Sequence, residues 1–195
     1  MRKLAGIPLL LLLCVASCST PQVATIIGQG SGQDGSATGT VCLPAQPDGP
    51  VSFATDMVTN VSDKPIEVTG VVLDENAVNL QLVASQVTDD LSASSAGFPY
   101  SGDTSGGFTA VTVAPGQMVL IDVGLAPIGP SYGWTNGMWV LLKTSSGQRL
   151  RIHSCYAVIV VPPGTGCIDD SYASDPGYPT EGPKALCGVT EVVRG

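Results

Sequence analysis

The chain has 195 residues and a formal net charge of −8, with 16 Asp and Glu against 8 Lys and Arg and a single His. An acidic surface of this kind repels the phosphates of nucleic acids and the anionic head groups of lipids, so neither is expected as a direct electrostatic partner. Aromatic residues make up only 5 %, whereas 24 Gly and 15 Pro are present, which excludes a bundle of long helices and points to a small all-β domain with many turns.

In chain order, Met1-Arg2-Lys3 supplies a positive start, Leu4 to Val15 an apolar run, and Ala16-Ser17 the small residues of a cleavage site. This is the order of a secretory signal peptide over residues 1–17. The run is short of the roughly 20 apolar residues that a spanning helix needs. The longest apolar run elsewhere, Tyr156 to Val161, is of strand length. The string Leu13-Cys14-Val15-Ala16-Ser17-Cys18 resembles the lipobox of bacterial lipoproteins. That resemblance implies a cut immediately before Cys18, a diacylglycerol thioether on its thiol, and a lipid anchor on the outer face of the cell membrane. Removing residues 1–17 takes away Arg2 and Lys3 and no acid, which moves the net charge from −8 to −10. Attachment is therefore expected through the lipid and not through a basic patch.

Residues 18–39 read as the lipidated Cys and a flexible linker, because Gly28-Gln29-Gly30-Ser31-Gly32-Gln33-Asp34-Gly35-Ser36 has little to bury. Val23 to Ile27 is an exception within it, an apolar patch suited to an edge strand. Residues 40–163 read as the domain. Val51, Phe53 and Met57 alternate with Ser52, Ala54 and Asp56 before the turn Asn60-Val61-Ser62-Asp63-Lys64-Pro65. Ile66 to Leu73 follows, with Gly70 marking a bulge, and then Val78, Leu80 and Leu82. Val111 and Val113 precede Pro115-Gly116, and Val119, Ile121, Val123 and Leu125 keep a period of two. Met138 to Lys143 and Leu150 to Val161 complete the series, joined by a hairpin at Ser145-Ser146-Gly147-Gln148. About seven short strands at this spacing predict one antiparallel β-sandwich of about 120 residues. Residues 164–195 are expected as a Cys-containing extension packed on it.

The stretch Thr59-Asn60-Val61-Ser62-Asp63-Lys64-Pro65-Ile66-Glu67-Val68, with Val113-Ala114-Pro115-Gly116-Gln117-Met118-Val119, resembles bacterial immunoglobulin-like modules. In those modules an Asn-x-Ser turn joins two strands and a Pro-Gly turn leads into a later core strand. With the lipobox, the chain resembles small actinobacterial lipoproteins carrying an immunoglobulin-like sandwich.

Cys42, Cys155, Cys167 and Cys187 remain after cleavage, besides Cys18. In an extracytoplasmic protein they read as two disulfides, with three connectivities open. The favoured one joins Cys42 to Cys155 and Cys167 to Cys187. No C-x-x-C or clustered His marks a metal site, so neither metal nor cofactor is expected. His153 is the sole imidazole, which argues against copper carriage. It is also the only base available to a Ser-His-Asp site, and Ser101 to Gly107 reads as a Gly/Ser-rich loop, not a nucleophile loop. No catalytic residue is assigned. Arg149, Arg151, His153 and Cys155 fall on one face of the last strand by parity, forming either an anion-binding strip or an ordinary solvated face.

Two stretches read as long loops, Ser85 to Gly107 and Ala126 to Gly137. The second holds Tyr132, Trp134 and Asn136, a combination suited to glycan or peptide contact, though a Trp that covers the end of the sandwich is the simpler reading. Asp169, Asp170, Asp175 and Glu181 match no EF-hand spacing, and solvation is their default. The expectation is a monomeric, non-catalytic binding or structural module at the cell envelope, whose partner is an envelope protein or glycan. The competing expectation is an envelope glycan hydrolase built on carboxylates from Asp89, Asp90, Asp103, Asp169, Asp170 and Asp175.

Overall fold

Val, Ile and Thr, stiff at their β-branched side chains and suited to a pleated surface, dominate the runs between turns. In the computed structural model, which describes residues 22–28, 39–167 and 185–193, these runs form strands. In chain order they are β1 (Ala24–Gly28), β2 (Gly39–Pro44), β3 (Val51–Asn60), β4 (Ile66–Leu73), β5 (Leu80–Thr88) and β6 (Ser95–Pro99). There follow β7 (Val111–Val113), β8 (Met118–Pro127), β9 (Gly133–Thr135), β10 (Met138–Thr144), β11 (Arg149–His153), β12 (Tyr156–Val161) and β13 (Thr190–Val192). One 3-10 turn, Leu91–Ala93, is the only helical element among the described residues.

The chain is an all-β sandwich. One five-stranded sheet has the order β1-β3-β8-β5, with β6 also on β3, and the other has the order β13-β11-β10-β4-β7. A three-stranded sheet, β2-β12-β9, completes the fold. The main core is contiguous: Val51, Phe53, Val119, Ile121, Val123 and Leu125 of the first sheet pack with Val68, Val140, Leu142, Leu150 and Ile152 of the second and with Val158 and Val160 of β12. Thirteen strands form among the described residues, not about seven, and β2 runs parallel to β12.

The Asn-x-Ser turn forms as expected. Asn60 is fully buried, its Nδ2 donates to the carbonyls of Lys64 and Val113, and its Oδ1 accepts from the Ser62 amide and hydroxyl. One side chain thereby closes the β3–β4 turn and ties it to β7. The strand ladder between β4 and β10 shifts register where Leu141 faces Gly70 and Leu142 faces Val68, so the bulge lies beside Gly70.

The apolar patch expected as an edge strand forms β1, at the edge of its sheet on β3 with Ala24 and Ile26 in the core, so residues 24–28 of the span read as linker belong to the domain. Two other boundaries differ from expectation. The stretch from Ser85 to Gly107 begins with the end of β5 and contains β6. The run from Leu150 to Val161 is two strands in two sheets, because after the Ser154 amide bonds the Met138 carbonyl the backbone leaves the ladder at Cys155. The Ser154 hydroxyl accepts from the Met138 amide, and the Cys155 amide donates to the Asp56 carboxylate.

Candidate functional site

The densest polar chemistry lies where the C-terminal strand β13 joins β11. β4 ends at Leu73 because Asp74 starts a turn, its Oδ1 accepting from the backbone and side-chain nitrogens of Asn76. That leaves Oδ2 facing the last residue of β11, and His153 Nε2 lies 3.1 Å from it. Both residues are buried, His153 with no exposed surface. Gly137 is required here. At its φ of +144° a β-carbon would sit 2.6 Å from His153 Cε1 and 2.5 Å from Ser154 Oγ.

The ring is held from three further directions. Trp139 on β10 meets it edge to face, with centroids 4.6 Å apart. The Ser154 carbonyl lies 2.9 Å from Nδ1, and the Leu186 amide reaches the same nitrogen at 3.2 Å. Arg151 stacks on the outer face of Trp139 at 4.0 Å and is bonded to Glu75 and Glu191, while the indole nitrogen donates to Glu75. These contacts hold the Glu75 carboxyl below its ordinary range, chiefly through the hydrogen bond from Arg151.

The C-terminal segment is thus built into the sheet. The His153 amide donates to Val189, Gly188 to the His153 carbonyl, and Val193 to the Arg149 carbonyl. Cys187 is bonded to Cys155. Of the strip that parity suggested, Arg151 is neutralised by two carboxylates, His153 is buried on Asp74, Cys155 sits at the crossing between sheets, and Arg149 alone is exposed.

The His153 and Asp74 pair superficially offers two thirds of a hydrolytic triad. The carboxylate, however, holds Nε2, and the remaining nitrogen is enclosed by two backbone groups of the fold. A triad needs the second nitrogen directed at an accessible hydroxyl nucleophile. The neighbouring Ser154 hydroxyl is itself fully buried and bonded to Met138 and Tyr156.

A second buried carboxylate supports the same crossing. Asp56 on β3 accepts the Cys155 amide through Oδ1 at 3.1 Å, while Oδ2 has no partner among the described residues. Burial pushes its carboxyl from an ordinary 3.8 up to about 7, against the opposing effect of the Cys155 hydrogen bond. The folded state therefore retains a proton that the unfolded chain has already released. Stability from this group is full below the unfolded value, falls as pH rises through about 7, and then levels off. Asp56→Asn is expected to remove this decline and to gain about 1–2 kcal/mol at pH 8, relief of carboxylate burial being offset by an unbonded amide N–H. Urea unfolding at several pH values checks it.

The disulfides are Cys42 with Cys167 and Cys155 with Cys187. They correct the expected pairing of Cys42 with Cys155 and Cys167 with Cys187. The parallel ladder supplies the reason: Cys42 stands opposite Ile159, four residues beyond Cys155. At about 3.3 Å per residue that separation, about 13 Å, exceeds disulfide reach. Cys167 instead folds back over Cys42 after the Pro162-Pro163-Gly164 turn.

The same ladder decides the place of the aromatic loop. Trp134 lies on β9 opposite Ile159, which faces Cys42 across β12, and the indole is buried with Ile159 and Val161 against Cys42, Tyr132 and Cys167. Tyr132 and Asn136 are half-buried beside it. The three expected contact residues are thus adjacent, but the Trp134 indole belongs to the packing beneath the disulfide and is not presented at the surface.

Among the acidic residues, Asp90 accepts from the Ser92 amide and hydroxyl, and Asp103 from those of Ser105. Those donors hold both carboxyls below the ordinary range, the opposite of what a general acid for glycoside cleavage requires. Asp89 is exposed. Cys18, Asp169, Asp170, Asp175 and Glu181 lie outside the described residues. Sequence reasoning missed Asp56, Asp74, Glu75 and Trp139. The signal available was a lone His at a strand end in a chain with an acidic turn directly after another strand.

No family model matches the chain, and no curated protein matches it. Among solved structures, the Vibrio cholerae VesB protease aligns at 12 % identity with a TM-score of 0.36, over 71 % of this chain. The chain spans about a third of that protein's length, 32 %.

Proposed function

We propose that the protein is a lipid-anchored, extracytoplasmic display module that binds an envelope protein or glycan and performs no chemistry of its own. The observation that carries this reading is the use of the reactive groups. His153 and Asp74 are sealed inside the sandwich and fix the C-terminal strand. All four cysteines after Cys18 are spent on two disulfides, a covalent state suited to an oxidising compartment outside the cytoplasm. The lipobox string ending at Cys18 supports the anchor, and the acidic surface supports attachment by lipid alone.

The mechanism is positional: the lipid sets location, the segment after Cys18 sets reach, and exposed loops on a rigid sandwich make contact. Cys18→Ala is expected to move the protein from the membrane to the soluble fraction with its melting temperature unchanged. Cell fractionation with a thermal melt checks it, and retention of the variant in the membrane contradicts the reading. Affinity capture from intact envelopes, with the bound protein or glycan identified by mass spectrometry, names the partner class.

A further inference from the structure

We propose that His153 is a proton-operated latch on the C-terminal strand, loosening residues 186–193 from the β11 edge when its ring becomes positively charged. The ring nitrogens have incompatible neighbours. Nε2 faces the Asp74 carboxylate at 3.1 Å, so it carries a hydrogen in either protonation state. Nδ1 faces both a donor, the Leu186 amide at 3.2 Å, and an acceptor, the Ser154 carbonyl at 2.9 Å. The neutral ring offers Nδ1 as an acceptor and bonds the C-terminal segment. The charged ring carries a hydrogen on Nδ1, turns that bond over to Ser154, and sets two N–H groups against each other at Leu186.

The consequence falls on an exposed edge segment. β13 has three residues, all exposed, and its other edge is unpaired among the described strands. Leu186, Val189, Val192 and Val193 contribute exposed side chains. Cys187 keeps the segment covalently attached at its start, so the latch loosens the strand without releasing the chain. Loosening uncovers the backbone groups of Arg149 and His153 on β11.

The charged and titratable groups around the ring all come from elements packed on it. Asp74 and Glu75 follow β4, Arg151 shares β11, Glu191 is on β13, and Asp56 on β3 touches the Cys155 amide. Arg151 is bonded to Glu75 and Glu191, and these bonds hold the Glu75 carboxyl below its ordinary range and the Arg151 guanidinium above its own. Asp56 is the group whose titration has to be separated from that of His153.

The test uses the oxidised protein in detergent micelles between about pH 4.5 and pH 8.5, the range around the ordinary imidazole titration. The single His gives one assignable imidazole resonance by NMR. Residue-resolved hydrogen exchange, corrected for intrinsic rates, reads the Leu186, Gly188 and Val189 amides. The expected result is a roughly tenfold loss of protection at these amides on acidification, with the same midpoint as the imidazole resonance. The step should vanish in His153→Gln and persist in Asp56→Asn. Three outcomes overturn the proposal: protection that stays flat while the ring titrates, a ring that keeps one protonation state throughout, or a step that disappears in Asp56→Asn. If His153→Gln does not fold, the coincidence of the two midpoints in the unaltered protein decides.

Discussion

Asp74→Ala is expected to destabilise the protein by about 2–3 kcal/mol, the upper part of the range for leaving a buried neutral donor, the imidazole N–H, without its acceptor. The substitution removes the Asp74 carboxylate, the side-chain acceptor of His153 Nε2 among the described residues, and opens the Asn76 turn as well. Asp74→Asn keeps a carbonyl oxygen for the imidazole N–H but turns its NH2 toward the Asn76 donors, so it gives up the turn, keeps the bond to His153 and should cost about 1 kcal/mol. The contrast matters more than either value. Equal losses in the two variants would mean that the turn, and not the bond to His153, is what Asp74 supplies. Chemical denaturation near neutral pH measures both. Hydrogen exchange should place the extra loss in Asp74→Ala at residues 186–193, because the ring it frees is the one that holds Leu186.

Removal of the Cys42–Cys167 disulfide by the double Ser variant is expected to cost about 5 kcal/mol, and removal of Cys155–Cys187 about 4 kcal/mol, from loop closure over separations of 125 and 32 residues. The two losses should differ in kind as well. Without Cys42–Cys167 the cover over Trp134 and Ile159 is lost, so Trp fluorescence is expected to shift to the red. Without Cys155–Cys187 the Trp134 cluster stays intact, and the loss should appear as exchange in residues 186–193. Peptide mapping of the unreduced protein checks the connectivity itself. A fragment that joins Cys42 to Cys155 would overturn the parallel β2–β12 register along with the pairing.

The sandwich was legible where a core strand keeps a period of two, as β8 does, and less so in β3, where a register shift between Phe53 and Asp56 puts Met57 in a different cluster from Val51 and Phe53. Val119, Ile121, Val123 and Leu125 point inward in sequence and in structure, and the Asn60 and Pro115-Gly116 turns close where their residues require. The break within Leu150–Val161 was not legible. An apolar period interrupted only by Ser154 masks it, and the acceptor that takes the Cys155 amide out of the ladder, Asp56, is 99 residues away in sequence. The disulfide pairing failed for a related reason. It depended on β2 lying parallel to β12, a long-range choice that local pattern does not encode. Trp134 shows the same limit, since its composition suits a contact loop but its partner strand buries it. The His153 site combines all three effects. Asp74, Trp139, His153 and Leu186 come from four segments, and none has a neighbour in sequence that announces the others.

The proposed role requires one covalent modification, at Cys18. Mass spectrometry of the N-terminal peptide, from protein extracted with detergent out of the envelope, measures it directly. The account predicts a chain that starts at Cys18 and carries a diacylglycerol thioether on that residue. A chain that starts at Cys18 with a free thiol, or one that retains residues 1–17, would contradict it.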